Sequence, residues 1–200
     1  MTQPPVRSAQ PQNSGKVLTT LMMPLFMALL STSVINVALP SIENSLHTTR
    51  GALQWVLSGY ALSFGVVLVS AGRAGDLWGR RKLFVTGLVI FVVGALASVF
   101  APTILILNIA RLFTGIGAGM FSPQIMGIIQ QLFQGEARGK AYGIFGAVVG
   151  LGVSIGPVVG GLIIDSFDEG LGWRLTFLLI VIVGAAAIPL AANWLPEDQP

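Results

Sequence analysis

The sequence predicts an all-α integral membrane protein with six spanning helices, and three observations predict it. The 200 residues are 54% hydrophobic and only 10% charged, with a mean hydropathy of +0.81, whereas a soluble domain carries about 25% charged residues. Six charge-free windows run from Val17 to Ile42, Gly51 to Gly72, Leu83 to Ala110, Leu112 to Gly135, Ala141 to Ile164 and Leu175 to Pro196. Each reaches the roughly 20 residues that a bilayer core requires, and membrane helices tolerate the glycines and prolines within them. The charge is also skewed. With the N-terminus inside, the inner segments hold Arg7, Lys16, Arg73, Arg80, Arg81, Lys82, Arg138 and Lys140. The outer segments hold only Arg50 and Arg174, beside Glu43, Asp165, Asp168 and Glu169. Basic residues favour the cytoplasmic side, so both termini are expected in the cytoplasm and the protein in the cell membrane.

Taken in order, residues 1–16 are polar and Pro/Gln-rich and read as a disordered cytoplasmic tail. The first span, about 17–40, is too long for a signal-peptide core and lacks a convincing cleavage site. Pro40 and the polar ENSLHTTR stretch are expected to end it, and Ser45, Thr48 or Thr49 to cap the second span, about 51–72. A glycine-rich basic segment leads to the third span, 83–100, and Ala101-Pro102 makes a short outer turn into the fourth, 103–130. QGEARGK turns back inside before the fifth span, 141–164. The acidic DSFDEGLGWR connects outside to the sixth, 175–195, and residues 197–200 form a cytoplasmic end. Trp173 and Trp194 read as interfacial anchors. No strand pattern or linker interrupts residues 17–196, so one bundle is expected.

Three stretches carry chemistry. Between spans two and three, GRAGDLWGRRK places Arg73, Asp76, Arg80, Arg81 and Lys82 around Gly72, Gly75 and Gly79, which permit a tight reversal with positive φ. In span four, ARLFTGIGAGMFSP carries Arg111, alone among more than forty otherwise uncharged residues. An ionisable group at that depth is costly and faces a cavity or a partner. The alternative is a side chain that snorkels to the outer interface, although a position nine residues after Pro102 lies about 13 Å along a helix. Gly115, Gly117 and Gly119 follow it and thin the helix for close packing. In span five, GLGVSIGPVVGG sets Gly152, Gly156 and Gly160 on one face, with Gly161 beside them, and places Pro157 where its ring would kink the helix.

These stretches resemble three motifs of the major facilitator superfamily. The first is similar to G-x-x-(A/G)-D-x-x-G-R-(R/K) between spans two and three. The second is similar to R-x-x-x-G-x-G of proton-coupled members, with Thr114 where Gln is common. The third is similar to the antiporter motif G-x-x-x-G-P-x-x-G-G, here complete. NVALPSI in span one, Trp55 with Tyr60 in span two, and Trp173-Arg174 with Phe177 before span six resemble the 14-span drug:proton antiporter branch. The resemblance implies that the six helices form the N-terminal bundle of that fold, as two inverted three-helix repeats. It also implies proton-coupled export of small organic or drug-like molecules. Gly72, Asp76, Gly79, Arg80 and Arg81 would then form a gating loop, Arg111 and Gly115 would serve proton coupling, and Gly152, Gly156, Pro157, Gly160 and Gly161 the antiporter motif.

The departures matter. That branch usually carries an Asp five residues before the Asn of NVALP, where this chain has Ser31, and no Asp or Glu lies inside any window. Ile180 and Ile182 stand where the branch usually has Asn and Pro. Asn36, Gln54, Tyr60, Asn108 and Gln124 are the polar or amphipathic candidates for lining a substrate cavity, the alternative for some of them being simple interhelical hydrogen bonds.

Expected partners are the bilayer, a small-molecule substrate, protons and a second half of six to eight spans. The alternative is a half-size or truncated structural or regulatory subunit with no transport of its own. Nucleic acid is not expected despite a net charge of +3, because the charge follows topology. An enzyme would need paired carboxylates, a Ser/His pair or metal ligands in the spans. The chain has no cysteine, and its one histidine, His47, lies in an outer connection, so no enzyme, metal site or cofactor is expected.

Overall fold

A computed structural model describes residues 13–198, so most of the expected N-terminal tail lies outside the described residues. Six helices follow one another: α1 (Ser14–Leu46), α2 (Arg50–Trp78), α3 (Arg80–Val99), α4 (Ile104–Leu132), α5 (Gly135–Ser166) and α6 (Glu169–Trp194). All six are long and apolar enough to cross a membrane. There is no strand among the described residues.

The helices extend beyond the apolar windows. α1 does not end at Pro40 but runs on to Leu46, where His47 adopts a left-handed conformation and closes it. A proline inside a helix loses one backbone hydrogen bond, and in a membrane bundle neighbouring helices compensate for it. α4, α5 and α6 likewise continue through Pro123, Pro157 and Pro189. Most of QGEARGK and of DSFDEGLGWR is helical, leaving only Phe133-Gln134 and Phe167-Asp168 as turns. Arg138 holds the first of these by donating from Nε to the Phe133 carbonyl (2.8 Å) and from Nη2 to that of Gln130 (2.9 Å). Charge ends a stretch that can sit in hydrocarbon but does not unwind the backbone.

Thr49 caps α2 and Thr103 caps α4, each accepting from an amide three residues on, Ala52 and Ile106, both at 3.4 Å. Of the glycines expected to turn the chain between spans two and three, only Gly79 does so, with φ of 104°. Gly72 and Gly75 lie inside α2.

Apart from α3 and α4, helices adjacent in sequence pack little. α4 lies between α2 and α3, and α1 lies between α5 and α6, with α3 against α6 joining the two groups. Exchanging α1–α3 for α4–α6 leaves this pairing pattern unchanged, as expected for two three-helix repeats. Glycines set the close approaches. Side chains at Gly115 and Gly119 would strike α2 at Tyr60 and Phe64, and one at Gly117 would strike α3 at Gly87 and Phe91. Phe121 then fills the α3–α4 seam edge-on to Phe84 and Phe91, with centroids 6.0 and 5.6 Å away. α1 is the most covered helix of the six, and α2 and α5 are the most exposed.

Candidate functional site: a buried arginine between four helices

Arg111 points into the bundle and is completely buried, so it does not snorkel to the outer interface. Its Nε donates to the Val56 carbonyl of α2 (3.1 Å), and Nη1 donates to the Ser31 hydroxyl of α1 (2.9 Å). The guanidinium carbon stands 4.4 Å from the centroid of the Tyr60 ring of α2 and 5.9 Å from that of Phe177 of α6. Four helices therefore meet on one cation. Nη2 has no hydrogen-bond partner, and no carboxylate among the described residues lies within ion-pair distance. Holding a cation at such depth costs about 2.5–3.5 kcal/mol on insertion scales. Two ring faces, each contributing about 0.5–2 kcal/mol, offset part of it.

The other sequence-predicted positions separate into groups. Tyr60 belongs to the Arg111 site and is stacked on Phe64 at 6.2 Å. Asn36 is exposed one turn beyond Thr32 on α1 and donates to its carbonyl (3.0 Å). Asn108 donates to the Ala52 carbonyl (3.0 Å), which leaves its Oδ1 unpartnered, and Gln54 is exposed. Gln124 is elsewhere. It lies thirteen residues beyond Arg111, about 20 Å along α4, where it donates to the Ala71 carbonyl (2.8 Å) and abuts Gly75. That geometry ties α4 to α2, and it explains Gly75 by contact, not by φ.

The α2–α3 corner forms a second cluster. Arg80 pairs with Asp76, and its guanidinium lies so close over Gly127 of α4 that any side chain there would collide with it. Arg81 donates to the Ala192 carbonyl of α6 and stands 3.8 Å from Glu197. Asp198 accepts from the Arg81 and Lys82 amides (2.9 and 3.1 Å), capping α3 with an anion at its positive end. These groups line a cleft of about 990 Å³.

In α5, Gly152, Gly156 and Gly160 all press on α1, at Leu29, Ser33 and Val34. Ser33 donates to the Gly152 carbonyl (3.1 Å). Gly161 meets nothing within 4 Å, and Pro157 is exposed on another face. Gly115 presses on Tyr60 and so sets the distance between Arg111's helix and α2.

Sequence reasoning missed several partners. In the sequence Ser31 stands out only as a missing acid, yet it is the residue that touches Arg111. Trp173 is not an interfacial anchor but is fully buried, donating to the Ser45 hydroxyl (2.8 Å) and edge-on to Phe177. Arg174 donates to the Val99 and Ala101 carbonyls (2.6 and 2.9 Å), closing the end of α3. Asp198 gave no signal, since one acid after a span looks like any other.

Comparison with known proteins places this arrangement. A family model described as Major Facilitator Superfamily matches residues 21–200. The probable actinorhodin transporter of Streptomyces coelicolor is 38% identical over 173 residues, covering 86% of this chain and 30% of that protein. The drug efflux pump JefA of Mycobacterium tuberculosis is 34% identical over 176 residues (88% and 34%). The puromycin resistance protein pur8 of Streptomyces alboniger is 35% identical over 175 residues (86% and 34%). The chain thus spans about a third of the length of the curated relatives it matches. Among solved structures, the proton:xylose symporter XylE superposes with a TM-score of 0.82 at 17% identity, over 94% of this chain and 46% of that one. That likeness concerns the fold.

Proposed function

Starting from a chain that belongs to the Major Facilitator Superfamily, we propose that its six helices serve as the N-terminal half of an exporter of small, drug-like organic molecules that exchanges them for protons. The family and fold are those of transporters, not enzymes. The observation that carries the reading is Arg111: a buried cation on which α1, α2, α4 and α6 converge, in a chain whose relatives are named for antibiotic transport and drug efflux.

A guanidinium stays protonated and cannot itself carry the transported proton. Its role is to bias a protonatable group, keeping that group ionised until substrate or proton displaces it. No acid lies inside the six apolar windows, so the group that titrates belongs to another segment. Substrate would bind between the two halves, against Asn36, Gln54, Tyr60 and Asn108. Gln124 acts in holding α2 to α4. The α2–α3 corner, with Asp76, Arg80 and Arg81 joined to α4 and to the end of α6, supplies the contact that forms and breaks as the halves rock. Both termini and this corner face the cytoplasm of a cell-membrane protein, following the basic skew.

The test is efflux of ethidium from proteoliposomes holding the complete protein, driven by an imposed pH gradient. Export that follows the gradient and collapses with a protonophore is the expected result. Export that ignores the gradient would remove proton exchange from the reading.

A further inference from the structure

We infer that the Arg111 site binds an organic anion, an aromatic carboxylate, directly on the guanidinium; this rests on the reading above that the site serves substrate. The cation is met only by neutral groups: a carbonyl, a hydroxyl and two ring faces. Its Nη2 is fully buried with no partner. A buried charge whose N–H groups are incompletely matched is poised for an anion, and a carboxylate is the planar acceptor that matches the guanidinium fork.

Ser31 makes the site open to a ligand. Its hydroxyl accepts from Nη1 and keeps its own O–H to donate. A carboxylate resting on Arg111 would thus receive Nη2–H from the arginine and O–H from Ser31. An acidic side chain at position 31 would occupy that place permanently and repel a second anion. The walls select a flat apolar body. Tyr60 covers the guanidinium, Phe64 stacks behind it with planes 13° apart, and Phe177 closes the far side. Entry is from the α1 side. Thr32, next to Ser31 in sequence, and Asn36 are exposed one turn apart on that helix.

The experiment measures equilibrium binding of 2-naphthoate to the complete detergent-solubilised protein by ligand fluorescence, with neutral 2-naphthamide as control. Saturable naphthoate binding is expected, with the amide about tenfold weaker or more, the scale set by charge-assisted hydrogen bonds. Ser31→Asp should weaken naphthoate about tenfold or more while holding or raising the melting temperature, because it pairs the buried cation. Ser31→Ala should weaken it about tenfold or more, since it removes a hydrogen bond donated to an ionised carboxylate. Equal affinity for acid and amide, no naphthoate binding, or a Ser31→Asp variant that binds like the parent would each overturn the inference. Ethidium efflux in the same preparation separates the two readings. Gradient-driven efflux without naphthoate binding leaves the exporter and removes the anion site. Naphthoate binding without gradient-driven efflux leaves the anion site and removes proton exchange.

Discussion

Arg111 is the residue on which the functional reading turns, and its surroundings show why its charge and its shape both matter. Nε and Nη1 reach two different helices from one planar group, while the ring of Tyr60 lies over its face. Lysine would keep the charge but could not span Val56 and Ser31 with a fixed fork, and alanine would lose both. Arg111→Ala is therefore expected to lower gradient-driven export by roughly tenfold or more, the equivalent of one hydrogen bond to a charged group at about 1.5–3 kcal/mol. Arg111→Lys should retain a measurable part. Normal, gradient-sensitive export in the alanine variant would reduce Arg111 to a packing residue. At the α2–α3 corner, Asp76 holds Arg80 over Gly127. Asp76→Asn removes a partly exposed ion pair of about 0.2–1 kcal/mol, enough to shift a balanced two-state equilibrium severalfold. Export should slow while substrate affinity and membrane insertion hold; an unchanged rate would take the corner out of the transport cycle.

Among elements, α5 separates packing from exposure on one helix. Gly152, Gly156 and Gly160 touch α1, whereas Gly161 is open. Adding a side chain at Gly156 forces Ser33 and the α1 backbone aside. Gly156→Val is expected to cost about 1–3 kcal/mol of stability, as overpacking does in a close-packed interior. Gly161→Val should leave the isolated bundle within about 0.5 kcal/mol, as substitutions away from packed features usually do. The check is thermal unfolding of the two variants side by side in detergent. Equal losses would mean that the motif acts through helix bending and not through the α1 contact. α4 uses the same device twice, with Gly115 and Gly119 toward α2 and Gly117 toward α3, which is how one helix lies between two others.

For the whole molecule, orientation rests on charge, and the absence of cysteine makes it straightforward to test. Ser166 ends α5 and Gln134 precedes it, both exposed and at opposite ends of a 32-residue helix. In intact cells, Ser166→Cys is expected to react with an impermeant thiol reagent and Gln134→Cys only after permeabilisation. The reverse pattern would invert the topology and place the basic corner outside.

What the sequence determined by itself was what local composition encodes. Six apolar windows and a skewed charge distribution set the fold class, and three glycine-rich motifs set the family, because hydrocarbon solubility and turn chemistry are properties of short segments. Helix ends are less legible: hydropathy marks where hydrocarbon stops, which puts the end of α1 at Pro40 and makes the connections loops, whereas the backbone stays helical through both. Only the tertiary structure decided which residues meet. Ser31 and Arg111 lie eighty positions apart, as do the α3 amides and Asp198 by more than a hundred, and no window contains both members of either pair. The same holds for Gln124, indistinguishable in sequence from a cavity residue until α2 is laid against it. Within each repeat, helices adjacent in sequence pack little, so partners come from the other repeat or from beyond the next helix, and only the folded bundle brings them within reach of a hydrogen bond.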